Sequence, residues 1–451
     1  MRAARVSRGI AANIYDKLAV ALVQLMLVPI MAAGWGLDTY GVWVLLATIP
    51  SFLAFSDLGF ASAAGTQMTM AVARGNRDEA VAIMQSACAV IVPVSAAMLL
   101  LVLAGCWLVP DALLPTSAAV SPDAARVTLC LLATYGLIAL QGSIVTAGFR
   151  CEGLFAVGVM WTGHTVLFEN IALGAAVMAG ATPPVAAAVL LAGRTLALVA
   201  QWLVLRRRVG WLTFGWTRVR RETVSALTGP ALAVAALPVA QASFLQGTAL
   251  ALGAAAGAAA VPAFTATRTL SRIGLQMTQL VTHALMPEFT AAVAREDRPA
   301  QARMLVATLA AAGIVAVPFA VVLVVAGQPL VMLWTRGVIH PPQLLMVVMA
   351  ATVVLGGLWN PLSNLILAMN RHAGFSYPFV VLALLTMPAS YALSTWIGAA
   401  GAGLSIAVLD AAMCIVIARM GRRCFVSIGE ARVAAGEMLA RGRRLLARRP
   451  G

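Results

Sequence analysis

Apolar stretches of roughly 20 residues or more recur along almost the whole chain, with short polar connectors between them. A helix of that length spans a bilayer, and a membrane-spanning backbone must satisfy its own hydrogen bonds. The pattern therefore predicts an all-α polytopic membrane protein with about twelve transmembrane helices. The expected spans lie near residues 10–33, 40–62, 82–108, 124–148, 153–179, 184–205, 224–250, 260–290, 304–326, 343–369, 374–396 and 400–420.

Composition points to the same class. The 451 residues are 61% hydrophobic and 10% charged, which leaves no room for a soluble catalytic domain. Arginine supplies almost all of the net charge of +15, and Lys17 is the only lysine. In a soluble protein this charge would favour a nucleic-acid partner; here the positive-inside rule accounts for it, so none is expected. The six cysteines show no metal-type spacing and are expected to be small buried apolar residues.

Arginines occupy alternate connectors, and this alternation predicts the orientation. One set of connectors carries Arg74, Arg150, Arg295 and the run 206–221, whereas the opposite set carries essentially Arg336 alone. Because cytoplasmic loops are enriched in Lys and Arg, both termini are expected in the cytoplasm. The Ala- and Arg-rich composition favours a bacterial protein, and hence the inner membrane.

The most basic connector divides the chain into halves of about six spans each. We expect an N-terminal lobe at 1–208, a cytoplasmic linker at 209–223, a C-terminal lobe at 224–420 and a basic cytoplasmic tail at 421–451. The tail can form an amphipathic helix on the inner leaflet or a frayed basic end. Residues 71–77 resemble residues 292–298, which predicts two parallel six-helix bundles around a central cavity.

The eighth expected span carries a polar stripe whose members recur every three or four residues and so share one helix face. These residues are Thr265, Arg268, Arg272, Gln276, Gln279 and His283. An intramembrane arginine costs at least a few kcal/mol unless it faces protein or water. The favoured interpretation is a cavity that accepts an anion; the alternative is hydrogen bonding to carbonyls and to Gln241 or Gln246 of the seventh span.

Other intramembrane charges can neutralise one another. Lys17 and Asp57 lie at similar distances from the connector at 34–39, and Glu169 and Arg194 at similar distances from that at 180–184. Each pair is therefore a candidate ion pair, with a coupling role as the alternative. Asp16 is expected to point about 100° away from Lys17, so that the two do not simply neutralise each other.

Two further groups of polar residues lie within expected spans. Asp410 lies at a depth comparable to that of Arg268 and Arg272 and can reach one of them. Asn13, Lys17 and Gln24 form a weaker stripe on the first span. The chain has no Walker A motif, no H-E-x-x-H and no nucleophile elbow, so neither an enzyme nor a cofactor is expected.

Short motifs, in order along the chain, resemble those of a known family. They are Tyr40–Trp43, Ser56–Phe60, Ala73–Arg77, Met286–Phe289 and Asn364–Arg371. In sequence and placement they are similar to the polysaccharide flippases (O-antigen or exopolysaccharide translocases) of the multidrug/oligosaccharidyl-lipid/polysaccharide exporter superfamily. The resemblance covers nearly the whole chain.

This resemblance implies a flippase that moves an undecaprenyl-diphosphate-linked oligosaccharide to the outer leaflet by alternating access, for O-antigen (lipopolysaccharide) or exopolysaccharide biosynthesis. By placement it assigns the diphosphate to Arg268, Arg272 and Lys17. The expected polar cavity residues are Asn13, Gln24, Gln241, Thr265, Gln276, Gln279 and His283. Among them Asn13, Gln24, Gln241 and Gln276 are expected to contact the sugars. Protons or Na+ as a coupling ion at Asp57, Glu169 or Asp410, and polysaccharide polymerase or export machinery as partners, complete the expectation. Ala47 and Ser51 stand at the repeat positions of the two arginines, so the cations are concentrated in the second half.

Two rivals remain. A cation-coupled drug or metabolite antiporter on the same fold would need an unpaired acidic cavity, whereas the charge expected to be unpaired here is cationic. A polysaccharide polymerase or ligase would favour a large outer loop with catalytic groups. The longest outer connectors, near 109–123 and 327–342, are short and poor in such groups.

Overall fold

The computed structural model describes residues 2–53, 59–368, 373–424, 429–430 and 432–437, without the side chains of 2–10, 49–52, 229–239, 280–288, 290–291, 294, 367–368, 373 and 422–424. The described residues form α-helices connected by short turns, two of them 3-10 turns, and contain no β-strand. The helices are α1 (Arg2–Leu53), α2 (Phe60–Ala73), α3 (Arg77–Leu108), α4 (Pro122–Cys151), α5 (Phe155–Met178), α6 (Pro183–Arg208), α7 (Arg221–Ala256), α8 (Val261–Ala294), α9 (Arg298–Trp334), α10 (Gln343–Ala368), α11 (Ala373–Ile397) and α12 (Ala399–Cys424).

Helix α1 contains the first expected span and the beginning of the second. Gly36 interrupts it with φ 71° and ψ 175°, a conformation that costs glycine little because it has no Cβ. The break falls within the connector expected at 34–39. Trp35 beside it donates its indole N–H to the carbonyl of Ala181 at 2.7 Å, which ties the bend to the α5–α6 turn.

The described part of the second expected span, near 40–62, falls in two helices. Helix α1 ends at Leu53, and α2 begins at Phe60 and ends at Ala73, beyond the expected end near residue 62. Gly59, at φ 77°, precedes α2. Asp57 lies outside the described residues, so its expected pairing with Lys17 stays a prediction.

Eight of the described helical segments are long and apolar enough to cross a membrane: Ala11–Thr48 of α1, and segments of α3, α4, α6, α9, α10, α11 and α12. Polar residues explain why α5 and the described part of α8 fall short, because α5 carries His164, Glu169 and Asn170 and α8 carries two arginines. The two parts of α1 correspond to the first span and the beginning of the second, and α3 to α12 correspond to the other ten expected spans. The protein is an all-α, multi-pass membrane protein.

The chain separates into two helical units. Unit 1 comprises 1–262 with 334–339, and unit 2 comprises 263–333 with 340–451. Helix α7 packs on α1, α2 and α3 and belongs to unit 1, although its sequence follows the 209–223 linker. The division of the lobes at that linker stays a prediction.

Within each unit, small and medium apolar side chains fill the space between helices. Met68, Met84, Phe149 and Leu205, from α2, α3, α4 and α6, meet in one buried cluster of unit 1. In unit 2, Ala316, Leu323 and Val353 pack α9 against α10. Alanine is frequent in both clusters, and small residues let membrane helices approach closely.

The two similar segments at 71–77 and 292–298 form matching turns. Gly75 has φ 80° and Glu296 has φ 56°. Asn76 N–H donates to the Ala71 carbonyl and Asp297 N–H to that of Ala292, each at 3.0 Å. The side chains of Asn76 and Asp297 then accept the N–H three residues onward, again at 3.0 Å each. This shared backbone geometry supports an internal repeat.

Candidate functional site

Helix α8 has a buried face made of small residues. Thr267, Ser271, Gly274 and Thr278 recur every three or four residues and are buried. Thr267 and Ser271 donate their hydroxyls to carbonyls four residues earlier, at 2.8 and 3.0 Å. A Cβ placed on Gly274 would lie 2.6 Å from Cδ1 of Phe319. Gly274 on this face therefore packs tightly against Phe319 of α9, and Thr278 lies beside Gly357 of α10, both within unit 2.

The polar stripe lies on the other side of α8. At about 100° per residue, it is centred roughly opposite the Thr267–Thr278 face. Its side chains with a described position are all partly exposed: Thr265, Arg268, Arg272, Gln276 and Gln279. The backbone of His283 continues the helix, but its side chain lies outside the described residues. The stripe therefore faces away from the α9 contact.

The two arginines of the stripe have different surroundings. The guanidinium carbon of Arg268 lies 5.1 Å from the ring centroid of Phe264, a cation–π geometry, and Arg268 has a further interaction. Arg272 makes neither an ion pair nor a hydrogen bond with any side chain or carbonyl in the described part of the chain. A partly buried guanidinium in that position has its full hydrogen-bonding capacity available.

The candidate residues of the first span lie in unit 1, as does Gln241 of α7. Asn13 and Gln241 are exposed and Gln24 is partly exposed. The Lys17 side chain is 76% exposed, and its Nζ lies 3.7 Å from Oδ2 of Asp16. The expectation that Asp16 and Lys17 do not neutralise each other is wrong, because the two side chains form an ion pair. A lysine side chain is long enough to reach a carboxylate at the neighbouring helix position.

Glu169 and Arg194 form a buried ion pair on α5 and α6, with Glu169 only 1% exposed. Tyr135 of α4 completes a triad. Its hydroxyl donates to Oε1 of Glu169 at 2.8 Å and accepts from Nη2 of Arg194 at 2.8 Å. The guanidinium also lies over the tyrosine ring, 5.0 Å from its centroid. Most of the charge of Arg194 is thus balanced inside unit 1.

Asp410 of α12 has a different partner from the arginines considered for it. The side chain is 5% exposed, and its Oδ1 accepts the indole N–H of Trp359, on α10, at 2.8 Å. Among the described residues no cationic group lies within 4.0 Å of its carboxylate. Asp410 therefore balances neither Arg268 nor Arg272 there.

Tyr135 and Trp359 were not singled out from the sequence, although both contact intramembrane carboxylates. Tyr and Trp are enriched at membrane–water interfaces. Tyr135 and Trp359 lie instead well inside their helices, Pro122–Cys151 and Gln343–Ala368, and this position was the signal that the sequence offered. A buried indole N–H or phenol hydroxyl needs a hydrogen-bond partner, which points to the nearby carboxylates.

The fold is that of the transporters of the MOP superfamily. An inward-facing multidrug resistance MATE family transporter of that superfamily is similar, with TM-score 0.74 and 12% identity over 89% of this chain and 94% of that one. The lipid II flippase MurJ, in an inward closed conformation, is similar with TM-score 0.67 and 10% identity over 98% and 94%.

A third similar structure is a MOP superfamily transporter from Pyrococcus furiosus, described as having reverse polarity of its binding pocket, with TM-score 0.57 and 12% identity over 93% of each chain. No protein-family model and no curated protein sequence matches the chain. At identities this low, the similarity establishes the fold. The polysaccharide flippase family stays a prediction.

Proposed function

We propose that this protein is a flippase for a lipid-linked oligosaccharide. It moves an undecaprenyl-diphosphate-linked glycan from the cytoplasmic to the outer leaflet by alternating access, for O-antigen or exopolysaccharide biosynthesis. Arg272 carries the proposal: it is partly buried in a membrane helix and has no counter-charge among the described residues. The fold, shared with a lipid II flippase, supports it.

A diphosphate is the ligand chemistry that fits Arg272. A guanidinium presents a planar fork of N–H donors that binds phosphate oxygens in pairs, and such charge-assisted bonds are about twice as strong as neutral ones. A cation in a hydrocarbon environment is costly until an anion or water reaches it. A lipid diphosphate supplies that anion, and the N–H donors of the guanidinium replace the water molecules that hydrate the diphosphate.

Other residues of the stripe extend the proposed site. Gln276 lies one helical turn beyond Arg272 and Gln279 about two turns beyond, and neither has a hydrogen-bond partner within the described ranges. An amide offers both donors and an acceptor, which suits sugar hydroxyls. Arg268 and Lys17 are proposed as further cations for the diphosphate.

Arginine alternation supports an orientation. The arginine-rich turns at 74–77 and 295–298 precede α3 and α9, and the positive-inside rule places them in the cytoplasm. We therefore propose a bacterial inner-membrane protein with both termini inside. In this orientation the linker lies on the cytoplasmic side, where the proposed substrate is taken up from the inner leaflet.

Substitution of Arg272 tests the proposal. We expect Arg272→Ala to lower flipping of an undecaprenyl-diphosphate-linked oligosaccharide by about ten-fold or more, because one bidentate charge-assisted contact contributes about 1.5–3 kcal/mol. The measurement is the fraction of probe that a glycosidase or lectin reaches on the far side of proteoliposomes. Arg272→Lys should retain part of the activity, since it keeps the charge but loses the fork.

Arg295→Ala is the matched control, because it removes an exposed arginine just past the end of the same helix. It should flip the probe at the rate of the unsubstituted protein. Normal flipping by Arg272→Ala at normal protein level would overturn the diphosphate site.

A cation-coupled drug or metabolite antiporter is the second candidate, and Asp410 is the observation that favours it. Its carboxylate is buried and has only the Trp359 indole as a described partner. In that case Asp410→Asn would abolish ion-driven export of a cationic dye, and Arg272→Ala would leave export unchanged. A flippase instead loses glycan flipping in Arg272→Ala, whatever the effect of Asp410→Asn, so Arg272→Ala is the variant that distinguishes the two functions.

A further inference from the structure

A groove of about 300 Å³ lies within unit 1. It is lined by Ile144 and Val145 of α4, Val92 of α3 and Val199 of α6. This volume lies at the lower end of the range for ligand pockets, about 300–1,000 Å³. Its lining residues lie near the middle of α3 and in the C-terminal halves of α4 and α6, and α6 ends with Arg206, Arg207 and Arg208.

The connector between α6 and α7 covers this end of the groove and is held in place. Gln85 of α3 donates to the carbonyl of Thr213 at 3.1 Å and accepts the backbone N–H of Arg218 at 2.8 Å. Ser86 accepts the backbone N–H of Arg220 at 3.2 Å. The connector thereby contributes Phe214 and Trp216 to the lining as part of a fixed structure.

The rim of the groove is cationic. Arg206 lies with its guanidinium carbon 5.4 Å from the ring of Trp202, which lines the groove. Exposed arginines at this end of the unit are Arg206, Arg207, Arg208, Arg218, Arg220 and Arg221. Acidic residues at this end are Asp78, which pairs with Arg218, Glu79 and Glu152, which pair with Arg74 and Arg77, and Glu222 at the start of α7. The local charge is therefore strongly positive.

The groove itself is apolar and opens through exposed side chains of membrane helices. Val92 is 39% exposed and Val199 is 49% exposed, and Gln141 is the amide in the lining. An apolar groove that opens beside membrane helices and has Arg206 next to Trp202 of its lining suits an acyl chain and an anionic headgroup, since basic pockets between membrane helices bind anionic headgroups. The alternative is that these aromatic residues belong only to an interfacial belt. In that case the protein would bind lipids without a preference for one headgroup.

We propose that this groove binds one acyl chain of an anionic phospholipid whose phosphate is held by Arg206. Trp202 and Phe214, whose rings meet at 6.3 Å and 62°, separate the chain from the headgroup. The site does not depend on the proposed glycan flipping. It gives the connector between α6 and α7 a lipid contact.

Lipid retention by the purified full-length protein tests the site. The protein in detergent is titrated with dioleoyl phosphatidylglycerol or dioleoyl phosphatidylcholine, and native mass spectrometry counts the retained lipids. We expect the anionic lipid to be retained about ten-fold more, as one charge-assisted contact predicts. Val199→Trp, which fills the groove, should lower this retention by about ten-fold. Leu196→Trp, on the same helix and 66% exposed, should not.

Arg206→Gln separates headgroup from chain. It should abolish the preference for phosphatidylglycerol, and Arg207→Gln should keep it. Equal retention of both lipids by the unsubstituted protein, or undiminished retention by a folded Val199→Trp variant, would overturn the proposal. If Val199→Trp fails to fold, the Arg206→Gln and Arg207→Gln pair decides: equal preferences in the two variants contradict the site.

Discussion

Arg194 in unit 1 and Arg272 in unit 2 are both arginines in membrane helices, yet their surroundings are opposite. Arg194 contacts Glu169 and Tyr135 within its own unit. Arg272 lies on the polar stripe of α8 without an ion pair or hydrogen bond in the part of the chain that the structure describes. An intramembrane charge is thus not a functional signal by itself. The absence of a neighbouring counter-charge is the more informative feature.

The two sites should also differ in what each contributes to the protein. In the Glu169 triad, Oε1 of Glu169, the Tyr135 hydroxyl and Nη2 of Arg194 bond one another, whereas Oε2 of Glu169 and Nε of Arg194 are buried without a partner. Such a network joins α4, α5 and α6. Arg272 has no ion pair or hydrogen bond within the described part of unit 2, so its presence in a hydrophobic helix calls for a role outside folding.

The largest expected effect contrasts these two sites directly. Glu169→Gln should lower the free energy of unfolding by about 3–5 kcal/mol, because it leaves the charge of Arg194 buried and uncompensated. Arg272→Gln should change it by less than about 1 kcal/mol, because no described contact is lost. Equilibrium unfolding in mixed micelles measures both. Equal losses in the two variants would contradict the distinction.

A double variant sharpens the same contrast. Glu169→Gln combined with Arg194→Gln should be more stable than the sum of the single losses predicts, by about 2–3 kcal/mol, because removing both charges ends the imbalance. Unfolding of the four proteins in the cycle gives this coupling energy. Arg272→Gln combined with Arg194→Gln is the control pair and should show additive losses.

The sequence predicted the helices better than the contacts between them. Apolar length is set by the bilayer, so α3 to α12 lie close to the expected spans. Equal distance from a turn was enough to suggest that Glu169 and Arg194 meet, because depth in a hairpin follows from residue count. Rotation of each helix about its axis and side-chain conformation do not follow from hydropathy. Tyr135 and the Asp16–Lys17 contact were therefore not foreseen.

A smaller effect tests how α8 is oriented. Gly274→Ala places a methyl group 2.6 Å from the Phe319 ring and should cost about 1–3 kcal/mol by overpacking. Gly313→Ala on α9, where a Cβ meets nothing within 4 Å, is the matched control and should stay within about 1 kcal/mol. Unfolding midpoints in detergent compare them. If neither variant lowers the unfolding midpoint, Gly274 does not pack on α9, and the statement that the polar stripe faces away from α9 is wrong.

The smallest expected effect concerns the acid that could have balanced Arg272. Trp359→Phe removes the indole donor to Asp410 and leaves a buried carboxylate oxygen without a donor, which should cost about 1–3 kcal/mol. Asp410→Asn keeps an acceptor for the indole and should stay within about 1 kcal/mol. Unfolding in mixed micelles again provides the measurement. A loss of about 3–5 kcal/mol in Asp410→Asn, the size expected for a broken buried pair, would mean that Asp410 neutralises an arginine, and Arg272 would no longer stand in contrast to Arg194.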